Sequence, residues 1–420
     1  MGLIKLALRS LKTDFIKSLF YFLSFVLTTV FIFLFFNLAY HPGSGIELGS
    51  GDSTLVTPIA TFVILIAMIC VFMANDYYVL AKTKDVSIVL MSGASVYQVG
   101  IYLFIQSTII MLLAIPLGFL ISYALVPLVN GVFATAFNYA GDLNYISKNT
   151  LIATSVILLC EIGWCTLLNM GYCYRTSINK MVSANVQMEN YGFKTRKLSN
   201  KLYLALFILP ILIFPFLQDT ASHLLLALVG LVGVYGIIKN IIPSVIERRQ
   251  NNQSLEDPLA LIVLGNVKYD LEKVRLLVLV NTMAAIVLMC ITIYTLETPL
   301  VSMIALMSYF SVMILLAVTT IFKVGMELQK RKRNFLNLYH LGYVLKDLKK
   351  IINLEMIIFY GTIILIPLLY QIVIVTKLYS LNLMSLYLIG IILLIQIMPM
   401  LICALICTRM YQKVLPVPTI

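Results

Sequence analysis

The residue types that do chemistry in proteins are few in this chain, and they lie far apart. Glu161 is the only acidic or basic residue well inside one of the long apolar segments. Burying a carboxylate in a membrane costs about 2–3 kcal/mol even on lenient insertion scales, so we expect Glu161 to face protein or water rather than lipid. Two roles stay open for this intramembrane polar residue: a structural hydrogen bond, which is the commoner use, and a part in substrate binding or coupling.

Histidine and cysteine residues form no recognisable catalytic or metal-binding pattern. The three histidines, His41, His223 and His340, are spread over both ends of the apolar segments and make neither a dyad nor a ligand set. All seven cysteines lie in or at the ends of apolar segments, where cysteine is usually a small packing residue. The phosphate-binding sequence G-x-x-x-x-G-K-[ST] does not occur in the chain. We therefore expect no catalytic residues, metal or cofactor in this chain itself.

The composition indicates that membrane-spanning helices hold these residues. The chain is 61% hydrophobic and 11% charged, with a mean hydropathy of +0.99, whereas a soluble domain has about 25% charged residues. The alternating strands of a membrane barrel are missing, so we expect an all-α integral membrane protein. Ten segments come near the roughly 20 apolar residues that a spanning helix needs: 19–40, 55–76, 99–126, 150–172, 202–218, 221–239, 276–296, 299–322, 353–376 and 381–408.

The distribution of basic residues predicts the orientation of these spans. With both termini in the cytoplasm, all of the 30 Lys and Arg residues except Lys148 and Lys377 fall on the cytoplasmic side, as the positive-inside rule requires. The net charge of +12 then indicates contact with anionic lipid of the inner leaflet rather than with nucleic acid.

One amphipathic phrase occurs twice, each time before a long apolar segment. Residues 8–17 read LRSLKTDFIK and residues 264–273 read LGNVKYDLEK, with Leu, Lys, Asp and Lys at the same four places. Lysines among apolar residues in this pattern are typical of a helix that lies on the inner leaflet before the chain enters the membrane.

A second pair of segments repeats in register. Residues 81–107 and 330–356 align on Gly93 and Gly342, and each passes from a basic cluster through an apolar stretch to a glycine and a rising helix. The alignment pairs further residues: Lys84 with Arg333, Leu103 with Ile352, and Gln106 with Glu355. The span that follows each segment has a proline at its middle, Pro116 or Pro367. We therefore interpret spans 1–4 and 7–10 as two parallel four-helix repeats, joined by a two-helix linker and related by an axis along the membrane normal.

This interpretation divides the chain into four parts. Residues 1–18 are the amphipathic inner-leaflet helix, and 19–175 are the first four-helix unit with its cytoplasmic coupling helix. Residues 176–255 are the linker with spans 5 and 6, and 256–415 are the second unit with its own entry and coupling helices.

The segments after spans 2 and 8 predict a docking surface. We expect each span helix to continue past the membrane and a shorter helix to follow, at about 86–92 and 335–341, capped by Gly93 or Gly342. Each short helix has an apolar face, which a loop in water would not keep, so we predict that this face protrudes and enters a groove on a partner. The face consists of Val86, Val89 and Leu90 in the first copy and of Phe335, Leu338 and Tyr339 in the second. For Lys330–Arg333 alone, a basic turn facing lipid is an equal alternative.

These two segments resemble the FtsX-like family of ABC transporter permeases. The family pattern is a basic–acidic cluster, an apolar helix, a turn of the Gly-Ala-Ser type, and a helix with an early acidic residue. The first copy resembles this pattern at Lys82–Asp85, Ser87–Met91 and Gly93–Ser95, and has Gln106 where the family prefers Glu. The second resembles it at Lys332 and Arg333, Phe335–His340, Gly342 and Glu355, and departs from it at Asn334 and Tyr343.

The resemblance implies a transport permease whose ATPase is a separate chain that binds ATP and Mg. The duplication then predicts two ATPase copies, docked at Val86, Val89, Leu90, Gly93, Phe335, Leu338, Tyr339 and Gly342. Ten spans in two such units are similar to the bacitracin-resistance (BceB-like) type, which works with peptide antibiotics. That type has a large extracellular domain between spans 7 and 8, where this chain has only residues 294–298.

On this resemblance, we expect the permease to export, extract or release an amphiphilic substrate, such as an antimicrobial peptide or a lipid-linked target, at a bacterial cytoplasmic membrane. The alternative is an ATP-driven signal transducer for a sensor histidine kinase or a cell-wall hydrolase, without transport. An ion-coupled secondary transporter is disfavoured, because the chain has one lone intramembrane carboxylate and no pair of Gly-broken spans.

Overall fold

The computed structural model is almost entirely helical in the part of the chain that it describes, which comprises residues 3–41, 56–136, 145–175, 199–216, 220–253, 258–294, 299–380 and 386–415. No strand occurs in these ranges. The prediction of an all-α membrane protein is therefore confirmed at the level of fold class.

Twelve α-helices form the described part of the chain: α1 (Leu3–Thr13), α2 (Phe15–Ala39), α3 (Val56–Met91), α4 (Val96–Ala136), α5 (Lys148–Arg175), α6 (Asn200–Ile213), α7 (Thr220–Gly236), α8 (Ile242–Gln253), α9 (Pro258–Tyr294), α10 (Pro299–His340), α11 (Leu345–Ser380) and α12 (Leu386–Lys413). A 3₁₀ turn, Phe214–Phe216, extends α6, and a π-helical turn, Ile237–Ile241, joins α7 to α8.

Eight helices in the described ranges are long and apolar enough to cross a membrane: Phe15–Ala39, Ile59–Thr83, Val96–Val132, Lys148–Tyr174, Leu228–Gln250, Val301–Leu328, Leu345–Lys377 and Leu386–Lys413. The chain is thus a multi-pass membrane protein. The fifth predicted span corresponds to a shorter apolar helix, Asn200–Phe216. The seventh, 276–296, lies in α9 and extends beyond the described residues, so the total of ten stays a prediction.

The inner ends of α3 and α10 differ from the prediction. We expected a separate short helix after each span, but each span helix continues without a break to Met91 or His340. The physical reason is local: no Gly or Pro interrupts residues 81–91 or 330–340, so nothing ends the run of backbone hydrogen bonds.

The repeated amphipathic phrase takes two forms. In its first occurrence the helix is interrupted at Asp14, whose backbone leaves the helical region (φ −102°, ψ 41°), and α2 begins at Phe15. In its second occurrence the phrase and the following apolar run form one helix, α9. Pro258 at the first position of α9 suits a helix start, because its fixed φ is helical and its missing N–H is not needed there.

Contacts within the chain define two units. The first comprises Met1–Thr195, Pro299–Ile304 and Phe322–Glu327, and the second comprises Arg196–Thr298, Ala305–Ile321 and Leu328–Ile420. Inside the first unit α4 packs against α1, α2 and α5, and inside the second unit α11 packs against α9 and α12. In the first unit, α4 follows the glycine turn and packs against α1 and α2, which share the repeated phrase. In the second unit, α11 follows the glycine turn and packs against α9, which contains the phrase.

Candidate functional site

The inner tip of the first unit ends in a glycine-capped turn. Gly93 has a positive φ of 93°, which L side chains rarely adopt. Its N–H donates to the carbonyl of Leu90 at 3.0 Å, and the N–H of Ala94 donates to the carbonyl of Val89 at 3.3 Å. This pair of bonds is the Schellman motif, which satisfies carbonyls at a helix end.

The second unit has the same turn. Gly342 has a φ of 98°, and its N–H donates to the carbonyl of Tyr339 at 3.0 Å. The N–H of Tyr343 donates to the carbonyl of Leu338 at 3.2 Å. The prediction that both glycines are C-terminal caps is therefore confirmed.

A buried ion pair lies directly before the first tip. The Lys82 ammonium group is fully buried and lies 2.6 Å from Asp14 Oδ2 and 3.4 Å from Asp85 Oδ2. It also donates to Ser10 Oγ at 2.9 Å. Because a buried charge is strongly destabilising without a partner, these contacts are what allow Lys82 to lie in the core. They tie the inner end of α3 to the interruption between α1 and α2.

The two carboxylates beside Lys82 are not equivalent. Burial tends to raise the pKa of Asp14, but the ammonium groups of Lys82 and Lys17 outweigh it and hold that pKa below its ordinary value. Burial raises the pKa of Asp85, and the neighbouring Asp14 adds to that effect against the opposing charge of Lys82. Asp14 is therefore the principal counter-ion of Lys82.

The second unit has a corresponding and more deeply buried ion pair. Arg331 Nη2 lies 2.6 Å from Asp270 Oδ2 and 2.6 Å from Glu355 Oε1. Asn266 Nδ2 donates to the other oxygen of Glu355 at 2.8 Å. Charged hydrogen bonds of this kind are short and stronger than neutral ones. They join α10 to α9 and α11 inside the second unit.

The two ion pairs occupy matching places in the two units. Lys82 precedes Gly93, and Arg331 precedes Gly342, by the same eleven positions, and the acid in each case is the Asp of the repeated phrase, Asp14 or Asp270. We call Asp14–Lys82 and Asp270–Arg331 the inner latches. Sequence reasoning missed them, although the aspartate that recurs in the phrase was a signal for a recurring basic partner.

The predicted docking residues of the first tip are partly buried in their own unit. Val86 and Leu90 pack in a core cluster with Ala7, Val99 and Tyr102, and Val89 is half-buried. The prediction that Val86 and Leu90 protrude is therefore wrong. Both follow Lys82 at intervals of four residues, so they share the helix face that Ala7 of α1 and Val99 and Tyr102 of α4 cover.

The second tip shows the same arrangement. Phe335 is 1% exposed, follows Arg331 by one helical turn, and lies with its ring centroid 6.5 Å from that of Tyr411 in an edge-to-face contact. The prediction that Phe335 protrudes is therefore also wrong, because this side chain lies on the buried face of its helix. Leu338 is half-buried and Tyr339 is exposed.

Other apolar side chains are exposed at the two tips. Ile88 and Met91 are 61% and 60% exposed at the end of α3. Leu341 and Val344, on either side of the second turn, are 75% and 62% exposed. These four side chains are available to a partner, because they point away from the buried faces that carry the latches.

Glu161 is buried in the first unit without a hydrogen-bond partner. Its side chain is 1% exposed, and neither carboxylate oxygen has a partner within the described ranges. Nearby polar side chains do find partners, since Asn75 accepts from Tyr21 at 2.7 Å and donates to Asn169 at 2.8 Å. The structural hydrogen bond that we favoured for Glu161 is thus not present among these residues.

The remaining sequence predictions concern metal-binding groups and residues outside the described ranges. No group of three or more His, Cys, Asp or Glu residues there is arranged to hold a metal ion. The side chain of His223 and residues 294–298 of the short predicted outer loop, apart from the backbone of Tyr294, lie outside the described residues.

Comparison with known proteins bears on the first tip. Residues 58–172 match the family model of the FtsX-like permease C-terminal domain, which covers nearly all of α3, the Gly93 turn, α4 and most of α5. A search of curated proteins finds no match. The matched segment is thus similar to a transport component of the membrane rather than to an enzyme, and it supports an FtsX-like ABC transporter permease.

Proposed function

We propose that this chain is the permease subunit of an ABC transporter whose ATP is hydrolysed by separate ATPase chains. The observation that carries the proposal is the inner tip inside the matched segment, which has a glycine-capped turn, a buried latch and exposed apolar side chains. ATP and Mg belong to the partner ATPase, and this chain supplies the surface on which it docks.

The second tip supports two ATPase copies per permease. Its cap, its latch and its buried Phe335 recur at the places that the repeat predicts. Two parallel four-helix repeats, ten spans and cytoplasmic termini are the topology that accounts for two such tips on one side of the membrane. A bacterial cytoplasmic membrane is the proposed location.

The docking surface of this proposal differs from the first prediction in its central residues. Ile88 and Met91 at the first tip, and Leu341 and Val344 at the second, enter grooves on the ATPases in helix-in-groove fashion. Val89, Leu338 and Tyr339 lie at the edges of these surfaces. Val86, Leu90 and Phe335 act indirectly, since they anchor each tip to the core, and Gly93 and Gly342 shape the turns.

The latches connect each tip to neighbouring helices, so a movement of the tip is transmitted to the membrane spans. A displacement of the first tip reaches Asp14 through Lys82, at the interruption from which α2 enters the membrane. A displacement of the second tip reaches α9 and α11 together through Arg331. ATP can shift the permease between conformations only as far as these differ in affinity for the ATPase state.

The proposed cargo is an amphiphilic molecule, such as an antimicrobial peptide or a lipid-linked target, that is exported, extracted or released at the outer leaflet. The alternative is a signal transducer that uses the same tips to drive a sensor kinase or a cell-wall hydrolase without transport. ATPase activity stimulated by an added peptide in proteoliposomes that contain no kinase favours transport. A change in kinase autophosphorylation without movement of peptide favours signalling.

Docking is tested with the tagged full chain, co-purified with an ATPase identified by its nucleotide-binding sequence. Ile88→Asp with Met91→Asp should release one of two ATPase copies, and Leu341→Asp with Val344→Asp the other. The matched control is Ile88→Leu with Met91→Leu, which keeps an apolar surface and should retain both copies. Retention of both copies by the Asp variants, with normal elution of the permease, would contradict the docking surface.

A further inference from the structure

Three polar side chains meet inside the membrane-spanning part of the second unit. The Tyr309 hydroxyl, on α10, donates to Gln396 Oε1 on α12 at 2.6 Å and accepts a hydrogen bond from Gln371 Nε2 on α11. The three residues are 2%, 0% and 0% exposed in the order Tyr309, Gln371 and Gln396. This cluster, which we call the amide cluster, therefore joins three helices and lies inside the protein.

Two polar atoms of the amide cluster have no hydrogen-bond partner. Gln371 Oε1 and Gln396 Nε2 are buried, and neither finds a partner within the described ranges. The first atom is an acceptor and the second a donor. Turning both amide groups over reverses the direction of the hydrogen bonds through Tyr309, but it again leaves one donor and one acceptor unpaired. A buried polar group without a partner is destabilising, so both atoms are suited to hold a ligand.

The types of the two unpaired atoms define the chemistry of that ligand. Each atom belongs to an amide group whose other terminal atom contacts the Tyr309 oxygen, so both atoms lie next to that oxygen. An anion can only accept hydrogen bonds and an ammonium group can only donate them, so neither pairs with both atoms. A hydroxyl group does both, because its oxygen accepts while its proton is donated.

The position of the amide cluster in the membrane indicates where such a hydroxyl comes from. Each of the three residues lies six to ten positions from the end of its span that is remote from the second tip, which is roughly 9–15 Å at the rise of a helix. In the proposed topology, this is the outer half of the membrane. Leu394 and Met398, two positions to either side of Gln396, are 57% and 46% exposed. On that side, only α12 separates the cluster from the surroundings of the protein.

We propose that the amide cluster binds one hydroxyl group, whose oxygen accepts from Gln396 Nε2 and whose proton is donated to Gln371 Oε1. Tyr309 positions both amide groups. The hydroxyl belongs either to a water molecule or to the head of a neutral amphiphile that enters from the outer leaflet; the second source deepens the proposed function and rests on it. The bound hydroxyl completes a ring of hydrogen bonds through α10, α11 and α12. Two of these helices, α10 and α11, carry the second tip.

The first test is a cryo-EM map of the full chain in lipid nanodiscs that shows ordered water. It should contain a peak about 2.7–3.2 Å from an amide atom of Gln371 and from one of Gln396. An isolated round peak identifies water, and a peak that continues into a chain identifies an amphiphile. In Gln371→Met with Gln396→Met the side chains keep their length but lose the amides, and the peak should be absent.

The second test compares two amphiphiles that differ in one hydroxyl proton, namely 1,2-dioctanoylglycerol and its methyl ether. If an amphiphile is the source, the glycerol should raise the thermal unfolding midpoint of the purified full chain more than the ether does. The double variant should abolish that difference. The matched control is Gln412→Met, near the inner end of α12, whose amide already donates to Asn353 at 2.9 Å, and it should keep the difference. Equal midpoints, together with a round peak, assign the hydroxyl to water.

Two results would overturn the proposal. One is a map without the peak, including one in which the two amide groups bond directly to each other. The other is a peak that persists in the double variant, since the amides would then not hold the hydroxyl. If the double variant does not fold, Gln396→Met alone takes its place. Neither test involves an ATPase, so a failure here is distinguishable from a failure of the docking proposal.

Discussion

Replacing Arg331 with methionine should destabilise the second unit far more than replacing Arg333, two positions further along the same helix. The side chains of Arg331, Asp270 and Glu355 are 6%, 2% and 0% exposed. Arg331→Met leaves two carboxylates buried close together without their shared cation. Breaking a buried ion pair from one side costs about 3–5 kcal/mol, which for a unit of this size corresponds to a fall in midpoint on the order of 10 °C.

The assay is thermal unfolding of the detergent-solubilised full chain, followed by loss of the monodisperse peak in size-exclusion chromatography at one fixed heating schedule. The side chain of Arg333 is exposed, so Arg333→Met should change stability by no more than about 0.5 kcal/mol. A triple variant, Arg331→Met with Asp270→Leu and Glu355→Leu, removes all three charges. It should recover most of the loss, because apolar replacement of a whole buried ion network is often neutral.

Equal unfolding temperatures for Arg331→Met and Arg333→Met would contradict this prediction. A triple variant no more stable than Arg331→Met would contradict it as well, since the loss of stability would then come from packing rather than from unpaired charge.

Three further predictions concern other parts of the structure. Gly93→Ala and Gly342→Ala should each lower the free energy of unfolding by about 1 kcal/mol. The cause is the positive φ alone, since an added Cβ would meet nothing within 4 Å. The control is Gly361→Ala inside α11, where an added Cβ also meets nothing within 4 Å, and it should be neutral or stabilising. Asp14 has a lowered pKa in the folded chain, so the stability that its charge contributes is present at neutral pH and is lost as the pH falls through that pKa. The difference in unfolding midpoint between the parent chain and Asp14→Asn should therefore be greatest near pH 7 and shrink below about pH 4. Glu161→Leu should raise the unfolding midpoint, by up to about 2–3 kcal/mol in free energy, because it replaces a buried carboxyl group that has no partner in the described ranges with an apolar side chain. A lower midpoint would show that a partner exists.

The helical fold was predictable because its signals are local. A long apolar segment can satisfy its backbone in lipid only as a helix, and a glycine after an amphipathic stretch suits the positive φ of a C-cap. The described spans and the caps at Gly93 and Gly342 therefore follow from neighbouring residues. The prediction of separate short helices before these glycines was wrong for a local reason too: no helix-breaking residue separates those segments from α3 and α10.

By itself, the sequence determined that the chain lies in a membrane, where its helices and glycine turns are, and that one phrase is repeated. Each of these depends on composition or on residues a few positions apart. Only the tertiary structure decided which face of each inner tip lies inside. The helical period makes Val86 and Ile88 equally available for docking, and the packing of α1 and α4 buries the first and leaves the second exposed. The pairing of Lys82 with Asp14 likewise joins residues 68 positions apart, and a contact of that range arises only when separate helices pack together.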